Sequence, residues 1–166
     1  MKLRIVLSLL LVCLILAPST ISAAPSQPIN PPCTKLGGAF TFAHFGFNPL
    51  DSTRASGDGS VWNGDQQIGT FSAQYFNIVQ QGKGVTQLNG NHTIRFTDGR
   101  VLYTSDEIHL QSDNQTPTLM HANSRLYIVR GEGAYAGATG LLHTHGAFDV
   151  AKLTGSITFD GQICVP

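Results

Sequence analysis

Hydrophobic and polar residues alternate along most of this chain, and turn-forming residues interrupt the alternation at regular intervals. Segments rich in Thr, Val, Ile, Phe and Tyr are separated by clusters of Gly, Asn and Asp, a pattern typical of an all-β protein. After residue 33 we find no segment that predicts a helix. Short strands at regular spacing favour a sandwich or a closed barrel over an open sheet. The predicted strands cover residues 38–47, 68–80, 85–96, 101–111, 118–129, 140–150 and 153–164.

One long interval between these strands, residues 48–65, has the composition of a loop. It is rich in Gly, Asp and Ser, and it holds Trp62, the only tryptophan of the chain. Loops of this length are either disordered or functional. We therefore expect a loop in which Trp62 covers one end of the barrel and contacts a ligand there.

The N-terminus has the features of a secretory signal peptide. Lys2 and Arg4 precede a thirteen-residue run (5–17) that is apolar except for Ser8, and small residues follow up to Ala24. A run of thirteen residues is too short to span a bilayer, so no stable membrane anchor is expected. This predicts a signal peptide over residues 1–24, an extended proline-rich leader over 25–37, a domain over 38–166, and a secreted protein, extracellular or periplasmic.

Charge and cysteine content narrow the function classes. Without Lys2 and Arg4, eight basic residues face ten acidic ones, a formal charge of −2. No basic surface for nucleic acid is therefore expected. After removal of the signal peptide only Cys33 and Cys164 remain, one near each end of the domain. Two cysteines in an oxidising compartment predict a structural disulfide that ties the termini together.

The last third of the chain carries a recognisable pattern. The apolar strand at 126–129 leads into residues 131–140, of the form G-x-G-x-Y-x-G-A-x-G, and L-T-G-S-I-T-F-D-G follows at 153–161. Gly64-Asp65 and Ile68-Gly69-Thr70 precede a long strand. These elements resemble allene oxide cyclase barrels and dirigent-like proteins. The resemblance implies one small antiparallel β-barrel of about eight strands with an apolar central pocket, and it implies no catalytic residue, because no catalytic motif of those enzymes is matched here.

The hairpin formed by strands 85–96 and 101–111 offers residues for such a pocket. One face of the first strand carries Ile94 and Phe96, and the apolar face of the second carries Leu102 and Ile108. Because the hydrophobic pattern sets strand register, we expect these faces to share the barrel interior and to contact a ligand.

The same two faces bring a histidine and an aspartate together. With a three-residue turn at Asp98-Gly99-Arg100, Phe96 opposes Leu102 and His92 opposes Asp106. A buried His–Asp pair is a candidate catalytic acid–base dyad, since each partner favours the charged form of the other. A two-residue turn would instead place Asp106 beside Asn91, and a purely structural polar contact is the alternative in either case.

His143 and His145 are a second candidate constellation. Alternate residues of a strand point to one face, so the two rings can share a metal ion, as in cupin barrels. No further histidine follows His145 to complete such a site. The alternative, which we adopt, is a pair at the surface or pocket rim without metal, and no cofactor is predicted.

Three functions stay open from sequence. The first is a secreted barrel that binds a small apolar, lipid-like or phenolic molecule in its interior, with the Trp62 loop at its mouth. The second is a cofactor-free cyclase or isomerase, in which His92 and Asp106 move a proton. The third is a non-catalytic surface-interaction protein. We favour the first, and a homo-oligomer is compatible with each.

Overall fold

A computed structural model describes residues 32–166 of the chain. The predicted signal peptide and residues 25–31 of the predicted leader lie outside the described residues. The strands are β1 (Cys33–Asn48), β2 (Asp51–Asn63), β3 (Gln66–Gly82), β4 (Val85–Phe96), β5 (Val101–Ser112), β6 (Leu119–Glu132), β7 (Thr139–Asp149) and β8 (Thr154–Cys164).

The strands form a closed antiparallel barrel in which each pairs with its neighbours in sequence and β1 pairs with β8. Side chains alternate between the interior and the outer surface. On β4, for example, Leu88, Gly90, His92, Ile94 and Phe96 are all buried. Closure leaves no unpaired sheet edge. The predicted all-β barrel of about eight strands is confirmed.

The predicted loop at residues 48–65 is wrong, because most of it is strand β2. Its inward-facing positions include Ala55, Gly57 and Gly59, and atoms of β1 occupy the space that larger residues would take at the two glycines. A Cβ atom on Gly57 would lie 2.9 Å from the Phe42 ring, and one on Gly59 would collide with the Thr41 carbonyl oxygen. Small residues are therefore a packing requirement here, although their composition resembles a loop.

A disulfide joins the two ends of the barrel domain, as predicted. Cys33 and Cys164 face each other in the β1–β8 pairing, and their sulfur atoms are 2.01 Å apart. β1 begins at Cys33, so residues 33–37 of the predicted leader belong to the barrel wall. We call this end of the barrel the disulfide end.

The glycine-rich segment 131–140 also lies at the disulfide end. It turns through a 3-10 helix at Gly133–Tyr135, where Gly133 has a φ of +64°. Tyr135 is buried there and packs edge to face on Phe96, with ring centroids 5.7 Å apart. The segment that carries the family resemblance thus closes one end of the barrel.

The other end, formed by the β1–β2, β3–β4, β5–β6 and β7–β8 turns, we call the open end. Within residues 32–166 no helix is long and apolar enough to cross a bilayer.

Candidate functional site

A cavity opens into the barrel from the open end. Its cavity volume is about 50 Å³. That is room for a few water molecules. Its lining is mostly aromatic and aliphatic, and consists of Phe40, Phe42, Phe45, Tyr75, Leu88, His92, Ile108, Leu110, Ala122, Ser124, Leu126, Thr144, Phe148 and Ile157.

Three phenylalanines narrow the mouth of the cavity. The Phe42 and Phe148 rings stack with centroids 4.6 Å apart, and Phe45 meets Phe148 edge to face at 5.6 Å. Phe45 lines the cavity because β1 has a bulge at Ala43, where its pairing with β2 shifts by one residue. A bulge reverses the alternation of a strand. Without it, Phe45 would point to the outer surface.

The structure brings His92 and Asp106 together inside the barrel. His92 Nδ1 lies 2.7 Å from Asp106 Oδ2, and both side chains are buried. A carboxylate only accepts hydrogen bonds, so His92 Nδ1–H donates to it. The predicted juxtaposition is therefore present, while a catalytic role for the pair stays a prediction.

The register behind that prediction was wrong by two residues. Ile94, not Phe96, pairs with Leu102, and Gly90, not His92, pairs with Asp106. The turn covers residues 97–99, because Phe96 N–H donates to the Arg100 carbonyl oxygen. A shift by an even number keeps every side chain on its predicted face. His92 and Asp106 are diagonal neighbours rather than direct partners.

Gly90 makes room for this diagonal contact. It lies opposite Asp106 and has no side chain, so the carboxylate can lean across toward His92. A Cβ atom at position 90 would lie 3.1 Å from both Asp106 Oδ2 and the Tyr75 ring. The position of Gly90 therefore helps to determine which way the Asp106 side chain points.

Tyr75 is a third member of this group that sequence reasoning missed. Its hydroxyl lies 3.3 Å from His92 Nε2, the ring nitrogen that does not face Asp106. Burial, and then the nearby charge of Asp106, raise the pKa of Tyr75 well above its usual value. One signal was available, since residue 75 has the same parity as Phe71 and Ala73 on the apolar face of predicted strand 68–80.

The second carboxylate oxygen of Asp106 has no partner. Among the described residues, Asp106 Oδ1 is the only buried side-chain polar atom without a hydrogen bond. Leaving such an atom unpaired costs free energy, and buried polar groups of this kind call for an explanation. The unpaired oxygen of Asp106 therefore lowers the free energy of unfolding.

The other predicted ligand contacts are divided between two environments. Ile108 lines the cavity, whereas Ile94, Phe96 and Leu102 are buried in the packed interior toward the disulfide end. Trp62 is on the outer face of β2, where its Nε1–H donates to Thr41 Oγ1. It cannot cover the mouth from there. Of the predicted contacts, the structure keeps Ile108 at the cavity and places the other four residues elsewhere.

His143 and His145 share the outer face of β7, and both are exposed. Their neighbours across the sheet are Arg125 and Asn123 on β6, with Asp160 and Thr158 on β8. Between residues 32 and 166, no group of three or more His, Cys, Asp or Glu side chains could hold a metal ion.

The barrel has the fold of dirigent proteins. One pterocarpan synthase dirigent protein aligns with a TM-score of 0.60 and 17% identity, over 90% of this chain and 100% of that one. A second pterocarpan synthase dirigent protein aligns with a TM-score of 0.57 and 16% identity, over 82% of this chain and 97% of that one. A pyocyanin demethylase aligns with a TM-score of 0.53 and 13% identity, over 78% of this chain and 99% of that one. No family model and no curated protein matches the sequence. The dirigent-like barrel implied by the sequence resemblance is confirmed at the level of fold.

Proposed function

We propose that this protein is a secreted barrel that binds a small apolar or phenolic organic molecule in the cavity at the open end. The main support for this proposal is the lining of the cavity. Most of it is aromatic and aliphatic, and one wall holds a group of hydrogen-bonded polar side chains, Tyr75, His92 and Asp106. An apolar lining with a few placed polar groups is typical of small-molecule sites. The Cys33–Cys164 disulfide supports an oxidising compartment.

The similar folds support the same class of function. Two of the solved structures are named for pterocarpan synthesis and one for pyocyanin demethylation. At identities of 13–17% this likeness is one of fold, so the ligand has to be found by experiment.

Binding of a ligand with several rings requires movement at the mouth. A cavity volume of about 50 Å³ is too small for a drug-sized molecule. Phe45 and Phe148 are the side chains whose rotation would widen it, because they contact each other at the mouth. We therefore expect Phe45→Ala to accelerate ligand entry and release more than it changes affinity.

The deciding experiment is mass spectrometry of an organic extract from the purified, secreted protein. We expect a bound apolar or phenolic molecule in the wild type and its loss in Ala122→Phe, which fills the cavity. Ala134→Phe, at an exposed position of the glycine-rich segment, is the matched control and should retain the ligand. Equal ligand content in both variants would place the bound molecule outside the cavity and contradict the proposal.

A second function, a cofactor-free isomerase or cyclase in the same cavity, is favoured by one specific observation. It is the buried His92–Asp106 contact of 2.7 Å beside the cavity. Acid–base catalysis needs a group of this kind within reach of the bound molecule. Turnover of the extracted ligand by wild-type protein, lost in His92→Asn and retained in the outer-surface variant His143→Asn, would establish it.

A further inference from the structure

The contacts of His92 define a direction for proton transfer. Asp106 accepts from Nδ1–H, so the neutral imidazole has its free electron pair on Nε2. Nε2 then accepts the hydroxyl proton of Tyr75, whose oxygen lies 3.3 Å away. Tyr75 and His92 both line the cavity, and Asp106 does not. A series of hydrogen bonds thus runs from Asp106, through His92 and Tyr75, to the space where a ligand would lie.

Among residues 32–166, no other titratable group faces His92. His92 is faced by Tyr75 from β3, by Asp106 and the Thr104 hydroxyl from β5, and by the Phe40 and Phe71 rings. Of these, only Tyr75 and Asp106 titrate. The other buried carboxylate of the described region, Asp149, pairs with Lys152 at the β7–β8 turn.

A second polar feature lies on a different wall of the cavity. Ser124 on β6 and Thr144 on β7 pair directly across the two strands, and both line the cavity. In a closed barrel of eight strands β7 is opposite β3, the strand that carries Tyr75. Two adjacent hydroxyls can donate hydrogen bonds to one carbonyl oxygen. The cavity therefore has a proton acceptor on one side and two donors on another, with apolar side chains between them.

We infer that this cavity takes an apolar carbonyl compound with a weakly acidic C–H beside the carbonyl, and that Tyr75, His92 and Asp106 move its proton. The inference rests on the binding function proposed above and names its substrate class. Tyr75 is the catalytic residue that touches the ligand, and His92 receives the proton. Asp106 is a positioning residue, which fixes the imidazole tautomer and stabilises the imidazolium.

The proposed step balances without a cofactor. The substrate C–H bond breaks, and its proton bonds to the Tyr75 oxygen as the Tyr75 proton passes to His92 Nε2. The electron pair moves to the carbonyl oxygen, where the Ser124 and Thr144 hydroxyls stabilise the enolate. Return of a proton to the same or another carbon of the enolate completes a tautomerisation and restores neutral His92.

The test uses 2-tetralone as the probe, because it has an acidic C–H between an aromatic ring and a ketone. Purified wild-type protein in D2O should raise deuterium incorporation at this carbon about 100-fold over buffer, measured by NMR. Tyr75→Phe should return the rate to the buffer value. Tyr127→Phe, which removes a hydroxyl from the outer face of β6, should stay within about twofold of wild type.

The positioning role of Asp106 is tested by measuring kcat and KM of the exchange separately. Asp106→Asn keeps the shape of the side chain but removes the charge that stabilises the imidazolium, so it should lower kcat about tenfold and leave KM within about twofold of wild type. Asp160→Asn on the outer face should leave both values unchanged. An unchanged kcat in Asp106→Asn would contradict the assigned role.

Binding is measured separately by NMR titration with tetralin, which has the same rings without the carbonyl. If tetralin and 2-tetralone bind but no exchange occurs, the proton-transfer inference is wrong and the binding function stands. If neither binds, both proposals fall for ligands of this size. Tetralin should also inhibit the wild-type exchange, a measurement that needs no variant to fold. Exchange that tetralin leaves unaffected would come from the exposed histidines and would overturn the inference.

Discussion

The two ends of this barrel are built from the same eight strands, yet one is packed and the other holds a cavity. Toward the disulfide end the interior is filled by fully buried aliphatic side chains, among them Val61, Ile94, Leu102, Leu142 and Ile163. At the open end the inward positions are shared by aromatic rings, aliphatic side chains, small residues and the polar group around His92. Both halves follow the same alternation of inward and outward residues.

The difference between the ends lies in side-chain shape and polarity. The aliphatic side chains toward the disulfide end interdigitate as in other protein interiors, whereas the rings at the open end surround a space that no side chain fills. The Phe42, Phe45 and Phe148 rings enclose such a gap at the open end. We therefore expect the packed half near the disulfide to contribute most of the stability, and the half near the mouth to carry the function.

Removal of the disulfide should have the largest effect. The bond closes a loop with a sequence separation of 131 residues, for which the chain-entropy model gives about 4–5 kcal/mol. We expect Cys33→Ser/Cys164→Ser to lower the free energy of urea unfolding by about this amount. Tetralin affinity in the folded variant should match wild type, because the cavity lies at the other end. A loss of affinity without unfolding would show that the two ends are coupled.

A matched pair of leucines on β5 compares the ends directly. Leu102 is fully buried in the packed half, and Leu110 is partly buried at the cavity. Leu102→Ala should cost about 2–5 kcal/mol, because it creates a void. Leu110→Ala enlarges an existing space and should cost about 1 kcal/mol. Chemical denaturation of both variants measures the difference, and equal costs would mean that the open end is packed as tightly as the other.

The buried His92–Asp106 pair should make the protein less stable than an apolar pair at the same positions would. Asp106→Leu leaves His92 Nδ1–H without its acceptor and should destabilise the protein by about 1–3 kcal/mol. The double variant His92→Phe/Asp106→Leu replaces both partners with apolar groups and should recover that loss or exceed wild type. A double-mutant cycle from urea unfolding gives the coupling. A double variant less stable than both single variants would show that the pair serves the fold.

Tyr75 should make stability fall in alkali. Burial raises its pKa in the folded protein above the value in the unfolded chain, so the unfolded chain loses this proton first as the pH rises. Stability from Tyr75 is therefore complete below about pH 10 and declines above it, by at most about 1.4 kcal/mol per pH unit. Tyr75→Phe should show a shallower decline than Tyr127→Phe, which keeps the buried hydroxyl. Identical slopes would mean that Tyr75 ionises as freely in the folded protein as in the unfolded one.

The His92–Asp106 contact could be predicted although the register could not. A shift of the strand register by an even number of residues leaves every side chain on the same face of the sheet. The observed register differs from the predicted one by two residues. Register itself depends on the turn, where Thr97-Asp98-Gly99 rather than Asp98-Gly99-Arg100 forms the loop. The pairing of Cys33 with Cys164 needed only the count of cysteines left after removal of the predicted signal peptide.

Strand β2, Phe45 and Tyr75 show where local pattern was not sufficient. β2 has a loop-like composition because Phe42 of another strand fills the space above Gly57, and Phe45 faces inward because of a bulge at Ala43. Tyr75 belongs to the site because its ring reaches His92 across the β3–β4 pairing. Alternation, turn residues and cysteine count specify the barrel and its closure, since they act within one strand or on the whole chain. Which end is open, and which polar groups meet there, depends on contacts between side chains distant in sequence.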